Sequence, residues 1–352
     1  MLRLRNNSRQ GQRLITALVL FWLFCFFGWQ GYNLYEKNCH YRETRFLFDT
    51  EVFIEAHGWG AKRAVGEAFA TLQELHQKLN KFSPDSEIYL LNSKAGLEPV
   101  EVSALTFDLI EYSLYFSRIT DGAFDPTVAP LVKLWGFGED KPQKVPAVED
   151  IRQALRLVGY QKVVLDKERR TVYLPEKGMS LDLGAIAKGY AVKQAVNILK
   201  NNNISSALVT AGGNIYALGR KENGEPWKIG IRDPLQQGGI IGYVQLENEV
   251  IDTSGDYERY FWEEGQRYSH IIDPRSGYPV QGLSSCSVLT DDPCAADALA
   301  TAVMVLGAEK GLDLIEQQKI MGVLITSNGK IILSQKMQGR FQEWEEIVYY
   351  NQ

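Results

Sequence analysis

Leu181-Asp182-Leu183-Gly184-Ala185-Ile186-Ala187-Lys188-Gly189-Tyr190 reads as the end of a strand, a glycine turn and a helix with lysine in its first turn. The strand begins near Ser180, and the helix runs from Ala185 to Asn201. On its N-terminal side, Phe46 to Ala56 alternates as a strand, and Ala61 to Leu79 carries apolar residues at helical spacing. Helices over Thr106 to Thr120 and Val148 to Leu157 follow, then a hairpin of Lys162 to Asp166 with Arg170 to Leu174. On its C-terminal side the spacing predicts strands Ala207 to Thr210, Trp227 to Ile231, Ile240 to Leu246 and Ser285 to Leu289. A helix Ala295 to Val305 and strands within Gly322 to Ile332 complete the pattern. Strands in runs, broken by a few long helices, define an α+β class rather than regular βαβ repetition. With no internal repeat or long linker, the expectation is one catalytic domain over residues 44–350.

The N-terminus reads differently. Arg3, Arg5, Arg9 and Arg13 precede an apolar stretch from Leu14 to Trp29. Basic residues stay on the cytoplasmic side, so residues 1–35 predict a single-pass inner-membrane anchor with the body outside the cytoplasm. A cleaved signal peptide is the rival, but Phe27-Gly28-Trp29-Gln30-Gly31 lacks a small-x-small site. The net charge of -5, with no basic cluster beyond the first residues, excludes a nucleic-acid partner. Cys286 and Cys294 could form a disulfide or stand as two buried thiols, and their spacing leaves both open.

Four places carry chemistry. A helix start offers unpaired N–H groups to an anion, so Asp182, Gly184 and Lys188 together suit a phosphorylated ligand. An ordinary strand-helix turn with a solvated lysine is the bland alternative. Gly212 and Gly213 follow a buried strand and let backbone approach a ligand, although Gly-Gly is also a common turn. His270 ends a short apolar run, near Thr253-Ser254-Gly255-Asp256-Tyr257-Glu258-Arg259, which gathers hydroxyls, an acid and an arginine. It is as open to a structural role as to a catalytic one. Asp297 and Thr301 share a helix face at i and i+4, which suits Mg²⁺ beside a phosphate and equally suits an acid at a helix start.

Taken in order, Phe124-Asp125-Pro126-Thr127, Trp135-Gly136-Phe137, the Leu181–Gly189 stretch, Ala211-Gly212-Gly213-Asn214, Thr253-Ser254-Gly255-Asp256, His270-Ile271-Ile272-Asp273-Pro274 and Asp297-Ala298-Leu299-Ala300-Thr301 resemble the ApbE-type FAD:protein FMN transferases. The resemblance spans about residues 48 to 310. It implies an ApbE-like mixed α/β domain that cleaves FAD with Mg²⁺, releases AMP and attaches FMN to a Thr or Ser. The acceptor would be a flavoprotein subunit of a membrane redox complex. By the same resemblance, Asp297, Thr301 and the Ala185 carbonyl would hold Mg²⁺. Phe48, Phe82, Ala123, Phe124, Asp125, Asp182, Lys188, Gly212, Gly213 and Ile272 would contact FAD. His270 would act as base on the acceptor hydroxyl.

Three positions depart from the family pattern. Phe48-Asp49-Thr50 stands where Met-Gly-Thr is common, Phe82 replaces a stacking tyrosine, and Lys193 occupies a usual acid position. Phenylalanine keeps the stacking face and loses the hydroxyl. The alternatives to transfer are a Mg²⁺-dependent FAD pyrophosphatase and a non-enzymatic flavin-binding protein.

Overall fold

The computed structural model describes residues 18–31, 39–138, 142–236 and 238–344. Its centre is an eight-stranded sheet whose spatial order follows the chain. The strands are β1 (His40–Leu47), β2 (Thr50–His57), β3 (Ser206–Ala211), β4 (Asn214–Leu218), β5 (Glu249–Gly255), β6 (Leu283–Thr290), β7 (Met321–Thr326) and β8 (Ile331–Leu333). Every neighbouring pair is antiparallel. Four long helices, α1 (Ala61–Leu79), α2 (Ala104–Ile119), α3 (Gly184–Asn201) and α4 (Pro293–Gln317), share one core with the sheet. Antiparallel strands and segregated helices make this an α+β architecture, as the sequence pattern predicts.

The layers follow from side-chain parity. Val52, Ile54 and Ala56 of β2 bury into the helical core, while the odd-numbered residues between them face the other way. Helix α1 buries Ala61, Ala64, Val65, Ala68, Phe69, Leu72, Leu75 and Leu79, the apolar stripe legible in its sequence. Each large side chain in that stripe contributes about 1.5–3 kcal/mol of burial. The sheet's opposite face meets a three-stranded sheet of Trp227–Arg232, Ile240–Leu246 and Gln342–Glu343 through Trp227, Ile229, Val244, Leu246 and Ile251. A third cluster packs Leu131, Trp135, Phe137, Ile151 and Ile272, and the Trp135 indole donates to the Gly277 carbonyl at 2.8 Å.

Several elements differ from their sequence reading. Phe46 to Ala56 is two strands joined at Phe48-Asp49, both with positive φ (55° and 57°). Two left-handed residues give the tight turn that a twisted hairpin needs. The turn is fixed by the Phe48 N–H donating to His76 Nδ1 at 3.1 Å. Ser180 to Leu183 joins no sheet. The Asn92 side chain instead binds the Leu181 N–H and carbonyl at 2.7 and 3.1 Å, taking the place of a neighbouring strand. Helix α4 runs well past Val305, through a non-helical Gly307 (φ 78°).

At the N-terminus, residues 18–31 are helical and exposed. They span about 21 Å, against about 30 Å of bilayer hydrocarbon. Among the described residues, no helix is long and apolar enough to cross a membrane. The rest of the expected anchor, residues 1–17 and 32–35, lies outside the described residues, as does the expected boundary at residue 350. Cys286 and Cys294 are free thiols, both buried.

Candidate active site

A cavity of about 460 Å³ opens where the helices meet the ends of the central strands. That size suits a cofactor-sized ligand. Its walls come from distant parts of the chain. The β1–β2 turn supplies Phe48, the segment after α1 supplies Lys81 and Phe82, and the loop before Pro126 supplies Ala123, Phe124 and Asp125. The start of α3 adds Asp182, Ala185 and Lys188, and the β3–β4 turn adds Gly212 and Gly213. The end of β5, the His270–Ile272 segment and the α4 face bearing Asp297 and Thr301 close it. All the site residues expected from the sequence therefore line one space.

The floor is electrostatically unusual. Asp297 is 1% exposed; its Oδ1 lies 3.1 Å from Lys188 Nζ, and its Oδ2 accepts from the Gly189 N–H at 2.9 Å. Gly189 fits because a Cβ there would sit 2.2 Å from the Pro293 carbonyl oxygen. Asp252, on β5, is equally buried, and its Oδ1 has no hydrogen-bond partner. Burial, reinforced by the charge of Asp297, pushes the Asp252 carboxyl well above the usual carboxylate range. Burial opposes the charge on Lys188, but Asp297 and Asp252 outweigh it and hold the ammonium above the ordinary lysine value. Two buried acids thus share one lysine, which suits a site built to receive a cation.

Beside this cluster, Thr301 Oγ1 lies 3.2 Å from Ser254 Oγ. The Gly189 N–H, whose helical acceptor would be the Ala185 carbonyl, donates to Asp297. Carboxylate, hydroxyl and carbonyl oxygens are the hard donors that Mg²⁺ takes. The residues present therefore fit that ion, and the orphaned Asp252 oxygen is the observation that carries the fit.

At the α3 start, Asp182 Oδ2 pairs with Lys81 Nζ at 2.5 Å, and its Oδ1 accepts from the Gly184 N–H at 2.8 Å. Burial works against the Asp182 charge, yet Lys81 and these hydrogen bonds hold the carboxyl below its usual range. Gly213 is required by packing, since a Cβ there would lie 2.4 Å from the Thr253 carbonyl oxygen. Asp125 is a different case. Its Oδ1 accepts from the Thr127 N–H and hydroxyl at 2.8 and 2.6 Å, and its Oδ2 from the Tyr160 N–H at 2.9 Å. That carboxylate holds the loop together, and burial still raises its pKa.

His270 sits in the wall with its Nδ1 3.1 Å from the Arg259 carbonyl oxygen. A carbonyl only accepts, so Nδ1 carries the proton and Nε2 keeps its lone pair. Burial lowers the imidazole pKa to about 4, so the ring is neutral near pH 7. Lys193 lies outside the cavity, 3.1 Å from Asp292 Oδ1 and over the Tyr112 ring. Sequence reasoning missed Asp252 and Lys81, while Arg259 entered only within the polar segment that raised the functional reading of His270. An acid inside an apolar strand, Val250-Ile251-Asp252, was the available signal for the first.

A helix start, a lysine shared by two buried acids and a neutral histidine around one cavity define an enzyme site for a phosphorylated substrate. Residues 48–325 match the ApbE family. A FAD:protein FMN transferase of Klebsiella pneumoniae is 37% identical over 276 residues, covering 78% of this chain and 85% of the relative. Another, of Haemophilus influenzae, is 35% identical and covers 80% and 84%. The crystal structure of the ApbE protein of Thermotoga maritima superposes with a TM-score of 0.81 at 34% identity, over 86% of this chain and all of that one. The flavin transferase ApbE of Vibrio cholerae gives 0.78 at 30% identity, over 86% and 99%. The chain belongs to the ApbE family.

Proposed function

We propose that this chain is a Mg²⁺-dependent FAD:protein FMN transferase, held by residues 1–35 at the extracytoplasmic face of the inner membrane. The observation that carries the reading is the Asp297–Lys188–Asp252 cluster facing the same cavity as His270. FAD enters with its pyrophosphate toward the start of α3, where the positive end of the helix dipole and the Lys188 ammonium favour negative charge. Phe82 and Phe48 offer faces to the isoalloxazine. Asp297, Thr301 and the Ala185 carbonyl would hold Mg²⁺, which when bound draws charge from the pyrophosphate oxygens and the departing AMP.

The acceptor Thr or Ser hydroxyl then meets His270 Nε2, which takes its proton as the oxygen attacks the FMN-side phosphorus. The bond from that phosphorus to the AMP oxygen breaks, AMP leaves, and FMN remains on the protein as a phosphoester. Positioning and electrostatics do most of the work in such transfers. The acceptor is a flavoprotein subunit of a membrane redox complex.

The test is to incubate the protein with FAD, Mg²⁺ and a candidate acceptor, then run a denaturing gel. Flavin fluorescence on the acceptor band supports the reading. Release of free FMN and AMP with no labelled protein would replace it with hydrolysis, and unchanged FAD would replace it with flavin binding alone.

A further inference from the structure

At the opposite end of β2 from the cavity, the sheet carries a second cluster of metal-ligating side chains. Thr50 lines the cavity, and His57 closes the same strand. Seven strand steps place the two ends about 23 Å apart. His40 on the edge strand β1 stands directly opposite His57, and Glu55 lies two residues before His57 on the same face.

The three side chains converge. Glu55 Oε1 lies 3.1 Å from His40 Nε2 and 3.1 Å from His57 Nε2. The two imidazoles stack nearly parallel (7°) with centroids 4.4 Å apart, and one ligand atom from each of the three residues falls within 4.8 Å of the others, so a small turn of the rings brings both Nε2 lone pairs onto one ion. Ligands at about 2.0–2.2 Å from a tetrahedral zinc ion stand roughly 3.3 Å apart, close to the spacing here. The outer contact is present as well. His57 Nδ1, buried and without a hydrogen bond of its own, has Glu222 Oε1 at 3.2 Å. A carboxylate behind the second ring nitrogen is the usual support of a metal-bound histidine.

We propose that His40, His57 and Glu55 form a binding site for a divalent transition-metal ion of the zinc type, with Glu222 orienting His57. Two imidazoles and one carboxylate select zinc or its neighbours over Mg²⁺ or Ca²⁺, which prefer all-oxygen shells. Three protein ligands leave one position to water. The bound ion ties the edge strand β1 to β2 where the chain arrives from residues 32–38, beside the Gly58 N–H to Cys39 carbonyl bond of 2.6 Å. An edge strand clipped in this way resists fraying and mispairing.

The test uses untagged full-length protein, stripped with chelator and titrated with ZnSO₄ in excess Mg²⁺ by calorimetry. The expected result is a single tight equivalent that also raises the melting temperature. His40→Gln and His57→Gln should each weaken it more than about tenfold, and Glu222→Gln by about tenfold. His40 is exposed, so His40→Gln folds, and it should keep its FMN transfer. Asp297→Asn should retain the equivalent. Trp227, with its ring centroid 6.2 Å from that of His57, supplies a second readout: Cu²⁺ should quench fluorescence that Trp227→Phe removes. No zinc uptake by the wild type, or uptake unchanged in both histidine variants, would reduce the cluster to a hydrogen-bonded clamp. Loss confined to Asp297→Asn would move the ion to the cavity and overturn the proposal.

Discussion

Asp125 and Asp297 are both buried carboxylates on the wall of one cavity, yet they are built for different work. Asp125 receives three hydrogen bonds from Thr127 and Tyr160, so its charge is answered by its own loop and by the Tyr160 backbone. Asp297 shares Lys188 with a second acid, Asp252, whose Oδ1 has no partner. The first region is closed; in the second, burial and the charge of Asp297 hold the Asp252 carboxyl well above its usual range and leave its Oδ1 unpartnered. Burial alone does not mark a reactive acid. What marks it is burial with the hydrogen-bonding account left open.

The sharpest way to break that contrast is Asp297→Asn. Losing the carboxylate that pairs with Lys188 and is proposed to hold Mg²⁺ should cost transfer about a thousandfold or more, or roughly 4 kcal/mol in the barrier. Turnover at saturating FAD and Mg²⁺ reads it, and near-normal activity would show the cluster to be structural. His270→Ala comes next, with an expected loss of about a hundredfold or more in transfer and little change in FAD affinity. Its pH profile adds a sign. The proposed base is the neutral ring, which is present above its pKa and lost as pH falls through about 4 in the free enzyme. The acid limb of kcat/KM should therefore lie near pH 4–5, not near the ordinary histidine value of about 6.5. A limb at 6.5 would place His270 in open water.

Asp125→Asn tests the closed side of the comparison. It removes charge from a carboxylate with three internal donors, so stability should fall by about 1–3 kcal/mol in denaturant titration. Activity per folded molecule should stay within about tenfold. Lost turnover with unchanged stability would transfer Asp125 to the chemical group.

This division was only partly legible in the sequence. Helix α1 was readable to its ends because one apolar stripe at a 3.6-residue period decides both burial and length. The Phe48-Asp49 turn was not, because Asp49 is a turn former but Phe48 with positive φ is not, and His76, far along the chain, holds it. The end predicted at Val305 sits just before a real break at the non-helical Gly307, and the helical segment beyond that kink, to Gln317, carried no separate signal. Within the site, Lys188 at a helix start announced an anion, but its partner Asp297 enters from another helix, and spacing cannot report that pairing. Asp252 was passed over, despite the apolar Val250-Ile251 before it, because one acid in a strand has the same alternation as a solvent-facing residue. The resemblance, rather than spacing, brought Asp297, Thr301 and His270 together before the fold did.

The smallest effect lies at the rim, where the comparison extends from charge to stacking. Phe82 is 46% exposed and lines the cavity, with Lys81 Nζ 5.0 Å from its ring centroid. An exposed ring that meets a flavin face gains about 0.5–1.5 kcal/mol beyond area burial. Phe82→Ala should therefore weaken FAD binding by roughly three- to tenfold, read from flavin fluorescence quenching, with turnover at saturation little changed. Phe82→Tyr keeps the face and restores a hydroxyl in open solvent, where a hydrogen bond exchanges with water at little net gain. Its FAD affinity should stay within about threefold of the starting protein. A larger gain for tyrosine would show that the rim, like the floor, has a polar group waiting for a partner. Equal affinity for phenylalanine and tyrosine would leave the unpartnered polar atom on the floor, at Asp252.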